Sequence, residues 1–364
     1  MHKKIFLAAT KQNDGKTLMA IGLISAFMDK FPGKIGFIKP VGQRYVKVDG
    51  KKIDEDSYLV HTIWDMGIDI KHLSPIAVER GFTERYITSD SNPGKLIEKI
   101  RTSYDMVAQG KEVVVVEGTG HAGVGSVFDL CNARVAKLLG AKVILVALGG
   151  VGRAIDEIAL NKALFEKEGV ELAGVVLNKV IVEKCEKIRN ITRQGLERLG
   201  VELLGTIPYR RVLSSPTVRE ILEEIDGQLL CGEKSLHKKA ERIIIGAMTP
   251  HQAIRYFSRR PLVIMPGDRE DLIFAAVHQA KLTRKSPPVG LILTGKILPR
   301  KSTLRVMCEA QIPIIHIPED TYTVASKIYQ IIVKIHPSEK EKIKISTQLV
   351  AKNVNIERIL EKIS

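Results

Sequence analysis

Short apolar runs and longer stretches of helical spacing alternate along the first half of the chain. Residues 5–9 are continuously apolar, and residues 16–30 place apolar side chains at the three-to-four spacing of a helix face. A second apolar run covers 34–39. A polar, irregular stretch follows, and then a helical pattern at 94–109. Further runs lie at 112–117, 142–148, 172–178 and 201–207, most of them separated by helical segments. Strands apolar on both faces and joined by helices predict an α/β fold, a parallel sheet with helices on both faces.

The pattern resets after Pro208. Ser214-Ser215-Pro216 reads as a break, with Ser215 the expected cap of a helix starting at Pro216. A second, smaller α/β series has strands at 242–247, 261–265, 289–294 and 313–317, and its clearest helix is 271–282. The stretch 322–364 reads as helical, interrupted at Pro337. A chain of 364 residues, 45% hydrophobic, exceeds what one core usually serves. The expected organisation is a first α/β domain at 1–211, a second domain at 212–325, and a helical tail at 326–364 packed on the second domain.

Composition narrows the chemistry. The four cysteines, Cys131, Cys185, Cys231 and Cys308, are far apart and form no C-x-x-C pair, which suggests neither a zinc site nor a disulfide framework and fits a reducing cytoplasm. Residues 1–9 are too short an apolar run for a signal peptide. No apolar stretch nears the roughly 20 residues that cross a bilayer, so no membrane role is expected. The formal net charge of +15 would suit a nucleic-acid binder. The basic residues are interspersed with acids, as at Glu339-Lys340-Glu341-Lys342, so a solvated surface is the expectation. A nucleotide triphosphate would also suit a positive field.

The chain's first strand leads into Ala9-Thr10-Lys11-Gln12-Asn13-Asp14-Gly15-Lys16-Thr17, and a helix follows. A turn between a buried strand and a helix aims backbone N–H groups at an anion. Gly15 lets the backbone approach phosphate, Lys16 reaches the β- and γ-phosphates, and the Thr17 hydroxyl suits magnesium. The phosphate-binding set is Lys11, Asn13, Asp14, Gly15, Lys16, Thr17 and Leu18. The G-K-T end of a P-loop is intact, while Thr10 holds the place of its usual leading glycine.

Two acidic features suit a divalent cation. Asp54-Glu55-Asp56 follows the second strand, and magnesium takes carboxylate oxygens together with phosphate. Acids also favour a helix start, so a solvated N-terminus stands beside that reading. Glu117 ends the strand 112–117 at the carboxyl edge where open α/β sheets place ligands. Gly118-Thr119-Gly120-His121-Ala122-Gly123 matches a dinucleotide fingerprint, but the next strand ends in Leu148-Gly149-Gly150 without the acid such a site needs. His121 is expected to be an exposed loop residue.

In this order the pieces resemble dethiobiotin synthetase and its P-loop relatives over roughly residues 1–215. The matching positions are Gly15-Lys16-Thr17, Lys39-Pro40-Val41, Asp56, Glu117-Gly118-Thr119-Gly120, Asn178-Lys179 and Gly205-Thr206-Ile207-Pro208. The resemblance implies ATP and Mg2+ as ligands. Lys16 then binds phosphates, Thr17, Asp56 and Glu117 organise magnesium, and Lys39 faces the transferred γ-phosphate or an acceptor. Asn178, with Lys179 and Pro208, would lie on the adenine side. Lys16 and Lys39 are the catalytic candidates, and a homodimer is implied. Ala9 departs from the family's first glycine, and Gly42-Gln43-Arg44-Tyr45 is bulkier and more basic than the family's substrate segment, which argues against dethiobiotin synthesis.

In the second half, Pro266-Gly267-Asp268-Arg269-Glu270-Asp271 and Leu293-Thr294-Gly295-Lys296 resemble a DRTGG domain, with Lys296 at the last glycine. Gly267 permits a tight turn, Asp268 is expected to cap the helix after it, and Arg269 would pair with acids or bind an anion. The pairing of domains resembles the amino-terminal part of long phosphate acetyltransferases. Residues 326–364 are too few for their catalytic domain, so acetyl transfer is not expected. The reading is a MgATP-binding protein with a regulatory or ligand-sensing role and a second ligand at the DRTGG domain. An ATP hydrolase or an ATP-dependent ligase with an unknown acceptor, and a non-catalytic assembly module, stay open as alternatives.

Overall fold

The computed structural model describes residues 2–89, 93–282, 288–309, 311–331 and 333–364. It divides into two compact units, Met1–Tyr209 with Ile335–Ser364, and Arg210–Lys334.

The first unit is built on a six-stranded parallel sheet. From edge to edge its strands are Leu203–Pro208, Leu172–Val180, Lys142–Leu148, Lys3–Ala9, Val113–Glu117 and Ile35–Ile38. The first strand of the chain is therefore central, with Ile5, Phe6, Leu7, Ala8 and Ala9 all inaccessible to solvent. Its neighbours on both sides run parallel to it. That is why these strands read as unbroken apolar runs rather than alternating ones. Helices such as Lys16–Lys30, Pro93–Ala108 and Gly152–Lys167 carry the crossovers.

The polar stretch after the second strand is ordered. Tyr45–Val48 pairs antiparallel with Lys51–Asp54 across Asp49-Gly50, both with positive φ, 47° and 74°. An Asp-Gly pair in that conformation suits a two-residue hairpin turn.

The tail corrects the expectation that it packs on the second domain: residues 335–364 belong to the first unit. Helix Lys340–Asn353 lies against helix Lys16–Lys30. A Cβ added at Gly22 would stand 2.2 Å from Val350 Cβ, so glycine is what lets the two helices approach. Val354 then bridges Gly205 on the edge strand, and Asn355 N–H donates to the Leu204 carbonyl at 2.9 Å. The tail thus supplies apolar cover and backbone partners that an open sheet edge needs.

The second unit has strands Gln228–Cys231, Ile314–Ile317, Gly290–Thr294, Pro261–Pro266 and Arg242–Ile245 in that order, the first pair antiparallel and the rest parallel. Apolar clusters cover its two faces, one around Ile221, Ile264 and Ile315 and one around Phe257, Leu272 and Leu293. Its opening helix is Val218–Ile225, capped by Thr217 in a reciprocal box with Glu220 rather than by Ser215. Pro216 thus lies outside the helix. Cys231 and Cys308 form a disulfide, although the cysteine spacing suggested no disulfide framework. Their sequence separation of 77 hid a Cα–Cα distance of 5.7 Å. Among the described residues no helix is long and apolar enough to cross a membrane.

Candidate functional site

The cradle follows directly from the central strand. Gly15 has φ 110°, and a Cβ there would lie 2.0 Å from Asn178 Nδ2, so both conformation and space require glycine. Asp14 is 2% exposed and turned inward. Its Oδ2 accepts from the Thr10 hydroxyl at 2.6 Å and from Lys11 N–H at 2.7 Å, stapling the loop to itself. Burial raises the Asp14 pKa against the pull of those two donors. From below, Asn178 Nδ2 donates to the Asp14 carbonyl at 2.7 Å, and Lys179 Nζ donates to the Asn13 carbonyl at 2.8 Å. Lys11 pairs with Glu157 at 2.6 Å.

Beside the cradle lies a buried charge cluster. Lys16, Lys39, Asp54, Asp56 and Glu117 are all less than a tenth exposed. The Thr17 hydroxyl donates to Glu117 Oε1 at 2.9 Å. Lys39 Nζ contacts Asp56 Oδ2, lies 3.0 Å from Asp54 Oδ1, and is 3.9 Å from Glu117 Oε1. Burial works against the Lys39 charge, but Asp56, Asp54 and Glu117 outweigh it and hold the ammonium above the usual lysine range. Glu117 is pushed up to about 7 by burial and by the neighbouring Asp56. Burial lowers Lys16 against the attraction of Glu117. Glu117 Oε2 is buried with no hydrogen-bond partner among the described residues. Among those residues no three His, Cys, Asp or Glu side chains gather as a ready metal site. The ammonium of Lys39 is what stands among the carboxylates.

The structure therefore brings Lys11, Asn13, Asp14, Gly15, Lys16, Thr17, Asn178 and Lys179 together, with Lys39, Asp56 and Glu117 in one adjoining cluster. Leu18 follows in the helix, buried. Pro208 pairs with Val180 at the end of the neighbouring strand. Both ends of the Asn178 amide are engaged, since its Oδ1 accepts from Lys179 N–H at 2.8 Å. His121 is exposed, and its Nδ1 accepts from Gly123 N–H.

Sequence reasoning missed the residues that hold these groups in place. Asn132 brackets the loop after Glu117: Thr119 N–H donates to its Oδ1 at 3.0 Å, and its Nδ2 donates to the Thr119 and His121 carbonyls at 2.8 and 2.7 Å. Asn161 accepts from Ala122 N–H at 2.8 Å and donates to the Glu157 carbonyl. Each is an amide inside a helix, and only burial, which sequence does not print, marks it out. Asp54 caps helix Glu55–Ile63 by accepting from Asp56 N–H, so Asp54 and Asp56 both start the helix and stand in the buried cluster. Gln12 Nε2 donates to Gln43 Oε1 at 3.4 Å, which sets the unusual Gln43 segment beside the cradle.

In the second unit the DRTGG-like loops occupy the carboxyl ends of the parallel strands. A Cβ at Gly267 would lie 1.9 Å from the Ile297 carbonyl oxygen. Gly267 N–H donates to the Thr294 carbonyl and Gly295 N–H to the Glu319 carbonyl. Arg269 spends its fork on Asp271, at 2.9 and 3.0 Å, and on the Met248 carbonyl. The expected Asp268 side-chain cap gives way to its backbone carbonyl, which accepts the Glu270 N–H.

Residues 3–217 match the AAA domain family and residues 220–331 the DRTGG domain family. The chain resembles phosphate acetyltransferases. That of Nitratidesulfovibrio vulgaris is 26% identical over 369 residues, covering 98% of this chain and 51% of the relative. That of Pseudomonas putida is 27% identical over 364 residues, covering 96% and 50%. The chain spans about half the length of these curated relatives. Among solved structures, the CBS and DRTGG domains of the regulatory region of Clostridium perfringens pyrophosphatase, complexed with the activator diadenosine tetraphosphate, align over 36% of this chain and 59% of that chain at 18% identity and a TM-score of 0.27.

Proposed function

The chain belongs to the AAA domain family through residues 3–217, and on that premise we propose that it is a MgATP-binding P-loop protein with a regulatory or ligand-sensing role tied to its DRTGG domain. One observation carries this reading: Lys16 and Thr17 open the helix after the central strand, and Thr17 donates to Glu117 inside a buried cluster with Lys39 and Asp56. Burying such charges is costly, and clusters of this kind gather at functional sites.

Backbone N–H groups of 13–18 and the Lys16 ammonium would hold the phosphates. Thr17, Asp56 and Glu117 offer the oxygen donors magnesium prefers, and the orphaned Glu117 Oε2 fits that role. Bound magnesium would neutralise charge on the phosphates. Lys39, held as a cation, would sit against the γ-phosphate. Asn178 keeps one unused donor and one unused acceptor position for the base, since each end of its amide is engaged once. Lys179 and Pro208 would complete the base side.

A second reading is an ATP-dependent ligase of dethiobiotin-synthetase type acting on an unknown acceptor. The contact of Gln43 with Gln12 favours it, because it puts the altered segment at the mouth of the cradle. Release of phosphate from MgATP, measured alone and with 7,8-diaminopelargonate plus bicarbonate, separates the two. Acceptor-dependent turnover sinks the regulatory reading. Thermal stabilisation by MgATP without turnover supports it. MgATP binding undiminished by Lys16→Ala refutes the cradle itself. A non-catalytic assembly role predicts neither turnover nor binding. The proposal includes a homodimer, which a monomeric mass in solution would defeat. It also includes a cytoplasmic site of action, and a second ligand at the loops carrying Gly267, Arg269 and Lys296.

A further inference from the structure

Away from the cradle, hairpin strand Lys51–Asp54, the short helix Ile70–Leu73 and helix Pro93–Ala108 contribute to a cavity of about 780 Å³. Small-molecule sites typically measure roughly 300–1,000 Å³. None of the cradle residues, nor Lys39, Asp56, Glu117 or Asn178, lines it.

The chemistry of its wall is specific. Lys51, Lys52, Lys71, Lys95 and Lys99 line the cavity, against the acids Glu79 and Glu98. Lys52 is neutralised by Glu79 at 2.6 Å, and Lys51 and Lys71 share Asp69 at 3.6 and 3.1 Å. Lys95 and Lys99 have no ion-pair partner among the described residues. They recur four residues apart on one helix, with Thr102 three further on, so all three share a face. The wall therefore carries more positive charge than its acids offset. Hydroxyls of Ser74, Thr102 and Ser103 add polar contacts, while Ile53, Pro75 and Ala77 supply an apolar part. Cationic, hydroxylic and apolar groups around one concavity suit a small carbon skeleton bearing several negative charges. The overall charge of +15 adds a long-range attraction for such a ligand.

We propose that this cavity is a second ligand site of the first unit and binds a small organic polyanion, a phosphate ester or a polycarboxylate. It is also linked to the charge cluster: Asp54 N–H donates to the wall residue Ser74 at 3.0 Å, and Asp54 stands 3.0 Å from Lys39.

Calorimetric titration of the full chain with fructose 1,6-bisphosphate and with citrate, at low salt, tests the proposal. One of the two probes binds, and which one identifies the phosphate or the carboxylate source. The double variant Lys95→Ala/Lys99→Ala loses at least about tenfold in that affinity, the size of one charge-assisted contact. Lys99→Gln alone loses less, and Lys16→Ala loses nothing. Both lysines are exposed, so the variants keep the far-UV spectrum of the parent. Three results overturn the proposal: neither probe binding more tightly than about 1 mM, undiminished binding to the double variant, or loss of binding in Lys16→Ala, which would place the probe in the cradle. Binding of an oligothymidylate where both probes fail would make the concavity a nucleic-acid groove and also refute it.

Discussion

The two units carry glycine turns at the carboxyl ends of parallel strands, yet they use them differently. In the first, the charges beside the turn are buried: Glu117 is 1% exposed, Lys39 and Asp56 6% and Lys16 7%. In the second, Arg269 and Asp271 pair at the surface, and Ile297 is 60% exposed. Gly267 there permits a close backbone crossing, whereas Gly15 also lies in a left-handed conformation beside a cradle with four charged neighbours. The same turn chemistry thus yields a preorganised electrostatic site in one case and a surface loop in the other. What separates them is desolvation, which makes each charge in the first unit depend on its partners.

The sharpest test removes the central cation. Lys39→Ala would leave Asp54, Asp56 and Glu117 together without it, and a broken buried pair typically costs about 3–5 kcal/mol. Arg269→Ala removes a surface pair and should cost less than about 1 kcal/mol. Trp64, the only tryptophan, reports on the first unit, so urea unfolding followed by its fluorescence reads Lys39→Ala directly. Arg269→Ala can be read by hydrogen exchange over residues 261–282. Equal losses would abolish the distinction between the units.

The same distinction explains what was legible. Buried parallel strands gave long apolar runs, so the fold class and the order of strands 5–9, 112–117, 142–148 and 172–178 could be read directly. The cradle was legible because Gly15, Lys16 and Thr17 are contiguous. Asp56 and Glu117 could be joined to it by magnesium's preference for carboxylates and by the carboxyl-edge rule, whereas Lys39 could be joined only through family resemblance, since its approach depends on the sheet order. The supports Asn132 and Asn161 carry no local signal, because their work is burial and backbone hydrogen bonding. Asp49-Gly50 was a readable hairpin signal that the surrounding polar residues obscured. The tail's docking was illegible because it depends on a missing side chain at Gly22 and on backbone and ion-pair contacts to the distant edge strand, none of which leaves a local pattern. The Cys231–Cys308 bond joins segments too far apart in sequence for spacing to suggest it.

That disulfide gives the second largest effect expected. It closes a loop between residues 77 apart, and Cys308→Ser should cost the second unit about 2–4 kcal/mol. Exchange protection over 261–265 and 289–294 should fall in the variant or in reductant, while Trp64 fluorescence stays unchanged. If Trp64 moves in step, the units do not unfold independently. A smaller effect is expected in the cradle. Asp14→Ala removes two hydrogen bonds that hold the loop, worth about 1–2 kcal/mol together, so MgATP should bind roughly tenfold more weakly. A gain in affinity would mean instead that the Asp14 charge repels phosphate more than its staple orders the loop.

The smallest effect belongs to the tail, where unit one has an exposed charge cluster of its own. Glu202 lies 2.9 Å from Arg358 Nε and 2.9 Å from Lys362 Nζ. Its hydrogen bonds with Arg358 and Lys362 hold it below its ordinary 4.5, at about 2. A depressed carboxyl contributes stability that is complete above its unfolded pKa and lost as pH falls through the folded one. Docking of helix Ile356–Lys362 should therefore be unchanged from neutral pH down to about 5 and should loosen between 4.5 and about 2. Because these groups are partly exposed, solvent and salt screen the pairs, and the change should be slight beside that of Lys39→Ala. Proteolytic release of the tail, compared between the parent and Glu202→Gln, measures it. The variant should show the loosened tail already at pH 6, with little further acid response in that window. An acid response equal to the parent's would assign the effect to other carboxyls and leave Val350 on Gly22 as what holds the tail.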